Sequence, residues 1–345
     1  MSSWQNHSSD ERIAMIQTVA QEHNIEDNAV EKDWWVTVVL KALFNTSCGK
    51  WLLFKGGTSL SKGWNLINRF SEDIDISIDR TFFEKILNLP FAKCENNNQV
   101  KKLRKASRDY IHGTLSAELD VELQKMGIEG YTVKNETVTG EPPRPIDHDS
   151  DPTIIFVNYE SILPSSMRLI DARVKIEISC LSMSEPYEQC EIRSLVFDKF
   201  PEEDDEMTAS IKSVTPSRTF LEKALLLSEE LQKEEPRTLR MSRHLYDLDR
   251  LMDTEFGQKA LNDGKLYKAI VEHRRRFYHL GYVDYDKDYP AKIDFIPQNK
   301  VMNAYRLDYE SNMVDGYIYG EAKSFDELMK RMEKLLQDFR QIVIS

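Results

Sequence analysis

Between Phe70 and Asp79 the chain reads FSEDIDISID, in which acids and serine alternate with isoleucine. A period of two is the pattern of a β-strand that buries one face. Ile74, Ile76 and Ile78 then point into a core, while Asp73, Asp75 and Ser77 share the other side. Two carboxylates at i and i+2 repel each other when both are ionised and partly buried. A divalent cation removes that conflict, and Mg2+ favours oxygen ligands together with substrate phosphates. Upstream, the apolar run Trp51 to Phe54 meets Gly56-Gly57, the punctuation of a strand entering a turn. Backbone N–H groups at such a turn can approach phosphate oxygens. Thr58 and Ser59 add hydroxyls where a helix is expected to begin, and a helix N-terminus favours an anion.

A Gly-Gly pair alone marks an ordinary turn, and an Asp-x-Asp alone is commonly a solvated strand face. Joined by one helix-length connector, they are what in-line transfer of a nucleotidyl group requires: phosphates cradled on one side, metal held on the other. A third acid from a neighbouring strand usually completes such a site. In RVKIEIS, Glu177 lies between Ile176 and Ile178 and shares a face with Arg173 and Lys175. The charged outer face of an edge strand accounts for Glu177 equally well, and Asp171 is the alternative third acid.

The rest of the chain reads as α+β, a mixed-sheet domain over residues 1–205 followed by a mainly helical domain over 206–345. Helical periodicity covers Asp10 to His23 and Asp27 to Asn45, then Arg80 to Leu89 and Gln99 to Met126. Thr153–Tyr159, Ala172–Ser179 and Cys190–Phe197 read as strands spaced like a meander. TGEPPRPIDHDSDP and FPEEDDEMTAS read as loops. From Pro216 onward helices dominate, the first with Ser217 as its expected N-cap and the last capped by Ser324. On the first of these, Lys223 lies on the apolar stripe between Phe220 and Leu227, where it needs a partner, a ligand or room to extend past the apolar face. On the next, Asp247 follows Arg243 by one turn, the spacing of a helix ion pair.

Composition bounds the function. No apolar run reaches the roughly 18 residues of a membrane span, and the N-terminus lacks a secretory pattern, so a cytoplasmic protein without a membrane partner is expected. Four cysteines without CxxC spacing make a zinc site an unfavoured reading. A net charge of −12 argues against a nonspecific duplex-DNA coat. Basic clusters at Lys101–Arg108, Arg237–His244 and His273–Arg276 leave room for a local RNA-binding face, although each taken alone reads as a solvated helix surface.

FKGGTSLSKGWNLINRFSEDIDISI, residues 54–78, resembles the opening motif of the AbiEii/AbiGii-type nucleotidyltransferase toxins, within the DNA polymerase β-like nucleotidyltransferase superfamily. The connector Thr58 to Glu72 is slightly longer than the superfamily pattern. VEKDWWVTVVLKAL (Val30 to Leu43) resembles the family's N-terminal helix with its E-K-D and aromatic. FLEKALLL and RHLYDLDRL resemble two later motifs and place the family's lysine at Lys223 and its aspartate at Asp247. The final ninety or so residues carry no recognised motif.

The resemblance implies a polymerase β-like catalytic domain and a toxin of a toxin–antitoxin or phage-defence system, with an antitoxin partner. It implies Mg2+-dependent use of an NTP and, for several relatives, a tRNA 3′ end as acceptor. Residue by residue, it implies Asp73 and Asp75 as metal acids and Gly56, Gly57, Thr58 and Ser59 at the phosphates, while the third metal acid, Glu177 or Asp171, is a departure from the wider superfamily. Lys223 would neutralise the triphosphate from the helical domain, and Asp247 would orient Lys223 or act as base on the acceptor. Two rival readings remain: transfer to a small molecule or a protein side chain, and a non-catalytic GTP or ATP sensor. Asp73, Asp75, Lys223 and Asp247 together count against the sensor, because binding alone does not require all four.

Overall fold

The computed structural model describes residues 3–164, 170–203 and 208–344. Its strands are β1 (Leu52–Lys55), β2 (Ile74–Ile78), β3 (Tyr131–Asn135), β4 (Val138–Thr139), β5 (Arg144–Pro145), β6 (Thr153–Tyr159), β7 (Arg173–Ser179), β8 (Tyr187–Arg193) and β9 (Thr208–Val214). Seven of them form one sheet in the order β3-β6-β7-β2-β1-β9-β8, and β4 and β5 make a separate hairpin. The sheet is mixed: β2 runs antiparallel to β1 and parallel to β7, while β6 runs antiparallel to β7. Ile74, Ile76 and Ile78 are fully or almost fully buried, as the alternation requires.

Several expectations change. β7 is a central strand, flanked by β6 and β2, so its charged face is not the exterior of a sheet edge. β6, β7 and β8 form no meander, because β8 lies at the far edge beyond β9. The strand expected to reach Phe197 ends at Arg193, since the Ser194 hydroxyl accepts from the Phe197 N–H at 2.9 Å and caps the helix Leu195–Lys199. The expected loop FPEEDDEMTAS ends in β9, and its residues 204–207 lie outside the described residues. β9 has few apolar positions of its own and gains its place by parallel pairing with β1, Phe54 opposite Ser213.

The chain divides into two compact units, Met1–Gly63 with Glu72–Ser213, and Trp64–Ser71 with Val214–Ser345. In the first, the helix Asp27–Asn45 is buried around most of its circumference. Trp35 stacks on Tyr159 with ring centroids 4.8 Å apart, and Trp34 packs edge-on against Trp35. Both tryptophans are core residues. Helix Ser9–His23 begins with a capping box from Ser8 and Glu11.

The second unit is helical: Pro216–Leu231, Ser242–Met252, Glu255–Leu261, Gly264–Phe277, Asn299–Asp308 and Phe325–Arg340, the last with a capping box from Ser324 and Glu327. Thr215, not Ser217, stands at the N-cap of Pro216–Leu231. Pro216 takes the first helical position, which suits a residue without an N–H, and the Ser217 hydroxyl donates to the Phe256 carbonyl instead.

Within the basic clusters, arginines are paired inside their own units. Arg274 is buried against Glu229, Arg275 pairs with Asp286 at 2.6 Å, Arg237 with Glu230 at 2.9 Å and Arg104 with Asp149 at 3.1 Å. Arg274 in particular is a core residue of the helical unit and no part of an RNA-binding face.

The connector between the glycines and the paired acids explains its length. Its residues Trp64–Ser71 belong to the second unit. There Trp64 packs edge-on against Phe256, and Phe70 N–H and Asn68 carbonyl bond to Tyr317 and Tyr319 backbone groups. Arg69 makes a bidentate pair with Asp247, Nε to Oδ1 at 2.7 Å and Nη2 to Oδ2 at 2.8 Å, with both side chains buried. Removing one partner of a buried pair leaves the other charge uncompensated. Arg69→Met should therefore lower stability by about 3 kcal/mol, read as a lower urea midpoint with unchanged slope; an unchanged midpoint would show that the pair does not secure this segment.

Candidate active site

Strand register fixes the first group of acids. Asp75 lies opposite Lys55 of β1 on one side and Glu177 of β7 on the other. Asp73 immediately precedes β2 and is half-buried. Burial raises the Asp73 carboxyl above the usual carboxylate range, and the charges of Glu72, Glu177 and Asp75 add to that against the pull of Lys175. These hard oxygen donors suit a divalent cation. Among the described residues, no three acid, histidine or cysteine side chains are grouped closely enough to hold a metal by themselves.

Glu177 has the register of a third acid, and its Oε1 pairs with Lys175 on the same face. Asp171 precedes β7, is largely exposed and pairs with Arg173 at 3.0 Å.

The glycine turn meets these acids directly. Gly56 has φ +79°, and a Cβ there would come 2.0 Å from Asp75 Oδ2. Only glycine therefore lets the backbone lie against that carboxylate. From Gly56 the chain turns helically through Thr58 and on to Gly63, so the leading N–H groups lack partners from a preceding turn. The hydroxyls expected at the phosphates are committed internally. Thr58 Oγ1 donates to the Asp73 carbonyl at 2.5 Å, and Ser59 Oγ lies 2.6 Å from Ser213 Oγ. Both residues are buried, so they shape the turn and the start of the acid strand.

The helical unit holds the second group. Lys223 Nζ is 2.7 Å from Asp247 Oδ2, and Arg69 occupies both oxygens of the same carboxylate. Asp247 thus has two long-range partners that the helix spacing did not indicate. Burial pushes the Asp247 carboxyl up, but Arg69 and Lys223 outweigh it and hold the group well below the usual range. A carboxylate stabilised in this way is a poor proton acceptor, so the geometry suits orienting Lys223 and not general-base work. The Lys223 ammonium is lowered by burial and by Arg69, against the opposing charge of Asp247. His244 is held neutral by burial and by the charges of Lys223 and Arg243. Two buried cations thus face one carboxylate, an excess that suits an anionic ligand.

Arg69 has no role in the reading of the sequence, although it lies within the quoted motif. No local spacing pairs it with an acid, and its partner lies 178 residues away.

Comparison with known proteins agrees with these observations. A family model described as "Nucleotidyl transferase AbiEii toxin, Type IV TA system" matches residues 39–331. The match runs through most of the C-terminal helices that carry no recognised motif, and begins after the E-K-D of the N-terminal helix. No curated protein matches. Among solved structures, MenT4, a nucleotidyltransferase toxin from Mycobacterium tuberculosis H37Rv, is similar at 16% identity with a TM-score of 0.52, covering 96% of this chain and 90% of that one. At that identity the likeness establishes the fold. With the family model spanning most of its length, the chain belongs to the AbiEii family of nucleotidyltransferase toxins of type IV toxin–antitoxin systems.

Proposed function

We propose that the protein transfers a nucleoside monophosphate from an NTP to an acceptor hydroxyl with Mg2+, and that this chemistry makes it a toxin in the cytoplasm, including in phage defence. The observation that carries the reading is the packing of the Gly56 turn against Asp75, whose strand neighbour is Glu177. Asp73 and Asp75 would hold the cation, which when bound supplies positive charge to the transferring phosphoryl group. The N–H groups of Gly56 and Gly57 bind phosphate oxygens, with Thr58 and Ser59 holding the turn in shape. Lys223, oriented by Asp247 and Arg69, supplies a cation to the triphosphate. Glu177 tunes the field around Asp73 through its pair with Lys175.

The proposed acceptor is RNA, most specifically a tRNA 3′ end, and the support for it is the family resemblance. The internal pairing of Arg274, Arg275, Arg237 and Arg104 favours the second reading, a small cationic or protein acceptor, since these four guanidiniums already have carboxylate partners. Incubation with each labelled NTP, Mg2+ and total RNA separates the two. Labelled tRNA supports the first reading, and label confined to protein or a small molecule supports the second.

Asp73→Asn and Asp75→Asn should each lower transfer about 100-fold or more while leaving thermal stability unchanged or slightly higher, because like-charge repulsion is relieved. Near-normal activity in either variant would remove that residue from the metal site. Lys223→Ala should weaken NTP binding and turnover together, and Lys223→Arg should restore only part, a bulky fork replacing a compact ammonium. Unchanged kinetics with altered melting alone would make Lys223 a packing residue.

A further inference from the structure

The E-K-D run of the N-terminal helix remains unexplained by the reaction. Glu31, Lys32 and Asp33 are consecutive on the buried helix Asp27–Asn45, an expensive place for three charges unless each is paired. Each one is. The Glu31 carboxylate accepts from the Ser161 hydroxyl at 2.7 Å and the Ile162 N–H at 2.8 Å. Lys32 Nζ lies 2.6 Å from Glu72 Oε2 and 3.3 Å from the Asp171 carbonyl. Asp33 Oδ1 lies 2.6 Å from Lys62 Nζ, and its Oδ2 accepts from the Leu195 N–H at 2.8 Å.

The places these partners occupy give the run its meaning. The chain leaves the first unit after Gly63 and returns at Glu72. Lys62 is the next-to-last residue of the helical stretch that runs from Gly56 to Gly63, and Glu72 is the residue before Asp73. A cation and an anion, adjacent on one helix, hold the two feet of the excursion through an anion and a cation. Together with the β1–β2 pairing and the Thr58 bond to the Asp73 carbonyl, these anchors tie the glycine turn to the acid strand across the ten residues between Lys62 and Asp73.

We propose that Lys32 and Asp33 are positioning residues for nucleotidyl transfer: Lys32, through Glu72, sets Asp73 for the cation, and Asp33, through Lys62, sets the glycine turn for the NTP phosphates. This rests on the cation reading of Asp73 and Asp75. Lys32 also keeps Glu72 engaged, so that its carboxylate does not compete for the cation beside Asp73.

The test uses the full chain and Mn2+ alone, titrated calorimetrically without NTP, followed by steady-state kinetics. Lys32→Met with Glu72→Gln removes the pair without changing local charge. It should weaken Mn2+ binding about tenfold, the usual cost of losing a residue that orients a ligand. The exchange Lys32→Glu with Glu72→Lys should restore binding to within about threefold. Asp33→Asn should raise the KM for NTP and leave Mn2+ affinity unchanged. Glu31→Gln, whose partners adjoin neither motif, should lower the melting temperature and move neither quantity. If wild type binds Mn2+ and the neutral pair variant binds it equally, the clamp is overturned while the cation reading stands. If wild type binds no Mn2+, the cation reading fails and the clamp falls with it.

Discussion

Strand pairing holds Asp75 between Lys55 and Glu177, with Asp73 one step outside the strand and Gly56 lying on the Asp75 carboxylate. The rest of the first unit serves that crowding of like charges. Burial raises the Asp73 carboxyl above the usual range, and the neighbouring charges of Glu72, Glu177 and Asp75 add to that. Isoleucines on the opposite face anchor β2 in the core, so the carboxylates cannot separate by shifting the strand. The conflict is relieved in part by Lys175 and is suited to relief by a cation that arrives with a nucleotide.

The helical unit shows the converse arrangement. Asp247 is saturated by Arg69 and Lys223, and the cations outnumber the carboxylate. In a dry environment such an excess is costly unless an anion offsets it. The same pairing that strips Asp247 of basicity locks the Lys223 ammonium in one place, which is what a fixed phosphate contact needs.

Charge patterns in the sequence were legible where they were local and misleading where they were not. The isoleucine–aspartate alternation defined β2 and its buried face, and the capping residue Ser324 marked a true helix start. HRRR read as a surface cluster, yet Arg274 is buried against Glu229, 45 residues away. β9 was hidden because its residues are only weakly apolar, and its strand character comes from its neighbour β1.

The sequence by itself determined the chemistry on offer: paired acids one helix-length after two glycines, a lysine on an apolar stripe, and a family whose members are nucleotidyltransferase toxins. The acids, the glycines and the lysine follow from periodicity and residue type, which act over a turn of helix or a few strand positions, and the family follows from the resemblance of whole motifs. Tertiary structure decided the partners. Arg69 and Lys223 hold Asp247; the Thr58 and Ser59 hydroxyls turn inward; and Lys32 and Asp33 pin the two ends of the connector. Each of these is a contact between residues distant in sequence or on different strands and turns. A charged side chain's partner is set by where the backbone carries it, and composition or spacing holds no record of that.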